Sequence, residues 1–242
     1  MQKCYRSFKT IIATTILVVV IPLSLIAQDN KPKTLDFPDP MTPYDYRLSL
    51  GYSAIKMPYD IALEGATIKW PLIKFNAVMG LPSNFLADGE IATELVTNQF
   101  KLGARWVYKF NNQLHGDLGY GIAFLYGQFK EAGYDSKISG WYSYPTIAMG
   151  YDFGPLTLTL RGTMSFINSL QSKSGTVETD FAAARNNGFS YSITMEQRFW
   201  KNTTVLLGFQ MNYLKMYYPQ WLLFPAFNRY YWIPEIQLRF TL

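Results

Sequence analysis

The sequence predicts an all-β protein, a closed antiparallel up-and-down transmembrane β-barrel formed by residues 44–242. Three observations favour this fold. Bulky apolar residues alternate with polar or small residues along long segments. Aromatic residues make up 17% of the chain and charged residues only 16%. Short turns and long polar loops follow one another regularly, as in barrels whose strands are joined by short turns on one side of a membrane.

Residues 1–27 predict export. Three basic residues precede an apolar run, residues 11–26, and Ala27 stands just before a polar stretch. This order is typical of a cleaved secretory signal peptide. The alternative is an uncleaved anchor, which is less favoured because Pro22 interrupts a run shorter than the roughly 20 residues that a spanning helix needs. Residues 28–43 are expected to form a periplasmic N-terminal segment.

Removal of the signal peptide changes which functions the composition supports. It takes away the only cysteine, Cys4, and leaves nineteen basic against seventeen acidic residues. A net charge of about +2 gives no support to a nucleic-acid partner. With no cysteine and one histidine, no metal site or cofactor is predicted. No later segment is apolar for the ~18 residues of a membrane helix.

The alternation is clearest in residues 100–110 and 114–126, where bulky side chains occupy the even positions. Strands of this kind run about 11–13 residues, enough for the ~9–11 that cross a bilayer obliquely. Polar stretches at residues 128–140 and about 168–187 are expected to be loops. Because lipid cannot satisfy the backbone groups of an open sheet edge, the strands are expected to close into a barrel.

The strand count depends on one ambiguous region. Seven strands are clear between about 96 and 242, and an eighth is expected near residues 44–55. Residues 57–95 are too long for a plain loop. Residues 68–71 could close a strand at a turn, with residues 75–79 returning across the membrane. Ten strands are therefore favoured, with eight as the alternative.

Eight charged residues fall on the polar side of the alternation, mostly within about six residues of a short turn. They are expected to meet in the periplasmic half of a narrow lumen. The favoured interpretation is a salt-bridge network that fills the barrel. The alternatives are a gated pore or small polar ligand site and, least favoured, paired carboxylates in acid/base catalysis. The eight residues are Arg105, Lys109, Asp117, Arg161, Glu196, Arg198, Glu235 and Arg239.

The last strand alternates Ile236, Leu238 and Phe240 and ends at Leu242. This ending resembles the C-terminal signature of small bacterial outer-membrane barrels, in which an apolar alternation finishes at or near an aromatic residue. The final residue departs from the usual Phe or Trp. The resemblance implies recognition by the barrel-assembly machinery, outer-membrane lipid as the surrounding partner and a place in the bacterial outer membrane. It implies no specific activity.

The last long loop is unusually apolar. Its side chains are expected either to fold inward as a lid or to contact a surface partner or outer-leaflet lipid; the residues are Trp221, Leu222, Phe224 and Phe227. The only histidine, His115, lies beside a short turn, whereas barrel enzymes that act on lipid or peptide use a histidine near the outer leaflet. It is therefore expected to be structural, and no catalytic residue is predicted.

The predicted function is an integral outer-membrane barrel with a structural or surface-interaction role through its outer loops, and not an enzyme. A narrow channel or transporter for a small solute is the alternative. A barrel enzyme acting on lipid or peptide is less favoured, because the sequence shows no convergent cluster of Ser, His and acidic residues at the outer rim.

Overall fold

Ten antiparallel strands close into one barrel in this computed structural model, which describes residues 34–56, 69–94, 96–131, 134–174, 177–200, 203–217 and 229–242. Each strand pairs with the next along the chain, and the first pairs with the last. The predicted fold and the favoured strand count are confirmed. The strands are β1 Tyr46–Lys56, β2 Lys69–Leu81, β3 Phe85–Thr93, β4 Thr97–Lys109, β5 Leu114–Glu131, β6 Tyr134–Asp152, β7 Leu156–Ser174, β8 Val177–Trp200, β9 Thr203–Leu214 and β10 Tyr231–Thr241.

The two ends of the barrel differ. One end carries the turns at 82–84, 110–113 and 153–155 together with the C-terminus, and we name it the short-turn end. The opposite end, which we name the long-loop end, carries the connection from β9 to β10. Within the described residues, no helix has the length and apolarity needed to span a membrane.

The period-two alternation separates an apolar exterior from a polar interior. On β4, Leu102 is 68% exposed on the outside, whereas Arg105 is buried inside. Successive side chains of a strand point to opposite faces of the sheet, so one alternation gives every strand the same two faces. The interior charges are therefore brought together by strand pairing rather than by proximity along the chain.

The prediction of a turn near residues 68–71 is wrong. Strand β2 runs without a break through Pro71, and the chain reverses at Pro82–Asn84, where Ser83 and Asn84 have positive φ values of 61° and 62°. Proline normally interrupts a strand because it lacks an N–H group. Pairing between β2 and β3 begins only at Ile73, so Pro71 has a partner on the β1 side alone and disturbs no bond to β3.

The expectation of loops at residues 128–140 and about 168–187 is also wrong. Strands β5 to β8 contain 18, 19, 19 and 24 residues, against 9 to 13 in the other six strands. Pairing continues through both polar stretches, as in Gln128 opposite Lys137 and Gln171 opposite Asp180. The polar side chains show where these strands pass beyond the apolar exterior of the barrel. They do not show where the strands end. We name the described residues of 128–140 and 168–187 the projecting sheet.

Candidate functional site

The N-terminal segment enters the barrel at the short-turn end. Residues 34–42, which we name the plug, lie inside the mouth of the barrel, with Leu35, Phe37 and Met41 buried. They form most of the described part of the segment expected at residues 28–43. Sequence periodicity could not place the plug in the lumen, because the segment belongs to no strand.

Glu196 on β8 holds the backbone of the plug. Its carboxylate accepts hydrogen bonds from three consecutive N–H groups, those of Leu35, Asp36 and Phe37, at 2.5, 2.7 and 2.7 Å. The side chain is 1% exposed, so these bonds replace the water that burial removes. Glu196 therefore recognises the plug through its main chain.

Asp36 of the plug holds two arginines of the barrel wall. Its Oδ2 lies 2.7 Å from Arg239 Nη2, and its carbonyl oxygen accepts a bond from Arg161 at 3.1 Å. Burial by itself raises the pKa of Asp36, but Arg239, Arg161 and Arg105 outweigh that cost and lower the pKa to about 2. The plug consequently keeps its negative charge throughout the physiological pH range.

The next plug residues contact β5 and β6. The ring of Phe37 lies 5.0 Å from the His115 ring, and His115 Nδ1 lies 3.1 Å from the Pro38 carbonyl oxygen. A Cβ atom at Gly150 would come within 2.6 Å of the Phe37 ring, so the absence of a side chain at Gly150 makes room for the plug. His115 thus contacts two residues of the plug.

A cluster of charges lies beside the plug. Asp117, which is 0% exposed, accepts bonds from Arg161 at 3.1 and 3.0 Å and from Arg105 at 3.4 Å. Arg105 also lies 3.2 Å from Asp88. Each buried charge is compensated by an opposite one, which is the condition for a stable buried ion pair.

The eight charges predicted from sequence do not form one cluster. Arg105, Asp117 and Arg161 meet directly, while Glu196 and Arg239 join them through the plug. Lys109 lies 3.4 Å from Asp39 at the mouth and is 46% exposed. Arg198 is half-buried on the inward row of β8. Glu235 lies farther along the lumen, where it pairs with Lys74 at 2.5 Å.

Sequence reasoning missed Asp36, Asp88 and Lys74. Asp88 and Lys74 lie on inward positions of β3 and β2, and a correct register for residues 57–95 would have revealed both. Asp36 lies outside the strands, so no periodicity pointed to it. Among the described residues, no cluster of three potential metal ligands occurs.

A polar chamber of about 190 Å³ lies above the plug. Leu35 and Asp36 of the plug form part of its wall. Glu90 on β3 and Lys101 on β4 occupy opposite positions in the strand register, and the Lys101 Nζ lies 5.3 Å from the centroid of the Tyr144 ring. The lining also includes the uncharged polar side chains of Asn76, Gln99, Gln210 and Asn212.

The chamber is bounded at the long-loop end by residues 215–217, which we name the lid. The main-chain N–H and C=O groups of Met216 both bond to the Asn187 side chain, each at 2.9 Å. The Tyr217 hydroxyl donates to Glu235 at 2.8 Å, and the Tyr142 hydroxyl lies 3.1 Å from the Met216 sulfur. Specific hydrogen bonds therefore hold the lid to the barrel wall at this end of the chamber.

Two apolar clusters surround the lid inside the barrel. Met216 packs in one cluster, and Tyr217 packs in the other. The first contains Ala123, Leu125, Ile138, Tyr142, Ile167, Leu170 and Met216, and the second contains Ile55, Leu72, Ala92, Leu214, Tyr217 and Ile233. The predicted apolar loop residues Trp221, Leu222, Phe224 and Phe227 lie outside the described residues, so their two alternatives stay predictions.

Two rings of aromatic side chains circle the exterior. Near the short-turn end, the Tyr108 ring contacts the rings of both Trp106 and Phe110. Near the long-loop end, Tyr213 lies 4.5 Å from Trp232, centroid to centroid, and 4.9 Å from Tyr230. Such rings are typical of the two interfaces of a bilayer. Ile236, Leu238, Phe240 and Leu242 of the predicted assembly signal are all exposed on this exterior.

No protein-family model and no curated protein matches this sequence. Among solved structures, it is similar to the attachment invasion locus protein Ail of Yersinia pestis, at 12% identity over 83% of this chain and 98% of that one, with a TM-score of 0.41. Neisserial surface protein A has 11% identity over 81% and 96% of the two chains, with a TM-score of 0.37. Outer membrane phospholipase A of Escherichia coli has 11% identity over 92% and 96%, with a TM-score of 0.37.

The exterior decides the location of the chain. Large apolar side chains between the aromatic rings are exposed on every side of the barrel, among them Leu50, Ile73, Ile91, Phe100, Leu118, Ile147, Leu160, Ile193, Phe209 and Ile236. A closed barrel pairs its backbone groups internally, and this surface is favourable only in lipid. The protein is a transmembrane β-barrel.

Proposed function

We propose that this protein is a closed surface barrel whose projecting sheet contacts a partner protein outside the membrane. The observation that carries the proposal is the length of β5–β8. Strand β8 pairs with β9 only as far as Gly188, yet it begins at Val177. Eleven further residues at roughly 3.3 Å each give a reach of about 36 Å along the strand.

The surface of the projecting sheet supports this role. Ile138 and Leu170 are buried on its inner side, whereas Gln128, Lys137 and Gln171 are exposed on its outer side. The apolar side stabilises the sheet against the interior of the barrel. The polar side suits reversible contact in water, because non-obligate protein interfaces are about as polar as ordinary surface.

The closed interior favours surface contact over an open channel as the resting function. The plug and the lid both carry several hydrogen bonds to the barrel wall, and the chamber lies between them. An enzymatic role gains no support from His115, which contacts the Pro38 carbonyl and the Phe37 ring. We therefore propose a non-enzymatic protein.

The proposal is tested by shortening the sheet in register. Removing residues 128–131 together with 134–137 deletes four residue pairs between β5 and β6 and keeps residues 132–133 in the chain. Binding of the purified barrel to an array of extracellular proteins should be lost, while heat-modifiable gel migration stays native. Lys109→Gln, at the opposite end of the barrel, is the matched control and should bind as the unmodified protein does.

Two results would contradict the proposal. One is a shortened variant that keeps the full binding profile of the unmodified protein. The other is a steady ion current through the unmodified protein in planar bilayers, because a barrel closed by the plug and the lid should carry none.

A further inference from the structure

We propose that the chamber is a compartment for a small uncharged or zwitterionic polar solute, entered through two separately held gates. The plug is the gate at the short-turn end, and the lid is the gate at the long-loop end. This role is independent of the contact made by the projecting sheet. Four features carry it: the attachment of the plug, the attachment of the lid, the chemistry of the lining and the separation of the two gates.

The plug is held by side chains of the barrel wall. Glu196, Arg239, Arg161 and Arg47 supply charged hydrogen bonds to residues 34–37. A segment attached in this way is released by changing a few side chains, since no strand pairing has to break. Glu196 contributes the largest number of these bonds, so it is the point at which release is expected.

The lid is held by a different set of residues. Asn187 binds both main-chain groups of Met216, and Glu235 accepts the Tyr217 hydroxyl while it pairs with Lys74. None of these contacts involves the plug. The two gates are therefore expected to open independently of each other.

The lining indicates the class of solute. Asp36, Asp88 and Glu235 each face a basic partner within 3.2 Å, so the chamber shows little net charge to a ligand. The Asn76 side chain is more than nine-tenths buried, and its amide nitrogen has no hydrogen-bond partner among the described residues. A buried donor without a partner costs free energy that a bound acceptor recovers. A polar molecule of low net charge satisfies these groups, whereas a strongly charged one has to displace an existing ion pair.

The test uses a single cysteine as a reporter. Ser190 lines the chamber, and Cys4 is the only cysteine of the full sequence, so Ser190→Cys in the chain that begins at residue 28 gives one thiol. The protein is reconstituted in one orientation in lipid vesicles. A membrane-impermeant methanethiosulfonate reagent is then added on one side at a time, and the labelling rate is measured.

Each gate variant should admit the reagent from one side only. Glu196→Gln removes the negative charge and replaces one of the two acceptor oxygens with an NH₂ group, so at least one of the three plug N–H donors loses its acceptor. Labelling should accelerate at least tenfold from the short-turn side. Glu235→Gln should produce the same acceleration from the long-loop side. The double variant should carry ion current in planar bilayers, which neither single variant does.

A second plug variant protects the test against misfolding. Gly150→Val fills the space of the Phe37 ring and leaves Glu196 intact, so it should match Glu196→Gln. If neither plug variant accelerates labelling while gel migration stays native, the gate is refuted. Equal acceleration from both sides would also refute two separate gates.

The solute class has its own readout. In Glu196→Gln, glycine or glucose at millimolar concentration should slow labelling of the reporter by occupying the chamber. Phosphate and choline, which carry net charge, should leave the rate unchanged. Protection by phosphate or choline, or by none of the four probes, would overturn the assignment of the solute.

Discussion

At the scale of single residues, Asp117 joins two interior arginines. It is fully buried between Arg105 and Arg161. Asp117→Asn keeps the shape but leaves two buried guanidinium groups without their shared counter-charge, so the barrel should lose about 3–5 kcal/mol of unfolding free energy. Urea unfolding in detergent, followed by tryptophan fluorescence, measures the loss.

The control for Asp117 is a pair at the mouth of the barrel. Lys109→Gln removes the half-exposed partner of Asp39 and should cost less than about 1 kcal/mol. Equal losses in the two variants would mean that burial does not decide the strength of these pairs.

Glu94 is expected to make the free energy of unfolding depend on pH. It follows β3 at the long-loop end, and burial raises its pKa to about 8, although a hydrogen bond with Thr97 opposes the shift. Between its ordinary value of 4.5 and about 8, the folded chain holds a proton that the unfolded chain has released. Stability from this group is therefore present at low pH and lost as the pH rises through that window.

Glu94→Gln should remove this dependence. Thermal midpoints measured from about pH 5 to about pH 8 should fall in the unmodified protein and stay flatter in the variant, which should be the more stable of the two at pH 8. Asp135→Asn, at an exposed site on the projecting sheet, serves as the control and should follow the unmodified protein. A variant with an unchanged slope would show that Glu94 is not the responsible group.

At the scale of elements, the alternation predicted strands well wherever one face meets lipid. Residues 100–110 and 114–126 alternate bulky with small or polar side chains, and β4 and β5 follow that pattern. The pattern failed at residues 128–140, because a strand surrounded by water on its outer side needs no apolar face. Strand pairing in the projecting sheet depends on backbone bonds between neighbouring hairpins, and no local pattern reports those.

Leu102 tests the lipid-facing side of β4. It lies near the middle of the strand and is 68% exposed. Leu102→Arg should destabilise the barrel in phosphatidylcholine vesicles by about 2–4 kcal/mol, because a charge at the bilayer midplane loses its hydration. Phe110→Arg, beside the short turn, should cost about 0–1 kcal/mol, because a rim position stays near water. Similar costs at both positions would contradict the placement of the membrane across β4.

At the scale of the whole molecule, the barrel architecture followed from sequence, but the contents of its interior did not. The inward charges Arg105, Asp117 and Arg161 were found because strand periodicity places them on one face. Their grouping depends on the barrel register. The plug contributes Asp36 from a segment without periodicity, and the lid follows β9 outside any strand. Both are tertiary arrangements that reach across the barrel.

The pairing of β1 with β10 has a consequence for biogenesis. Arg239 bonds to Asp36 across 203 residues of sequence, and Glu235 pairs with Lys74 across 161. Neither gate has its full set of partners until the C-terminal strand arrives and the cylinder is complete. A chain that lacks β10 therefore cannot hold either the plug or the lid with all of its partners. Insertion of the last strand and attachment of both segments are expected to occur together.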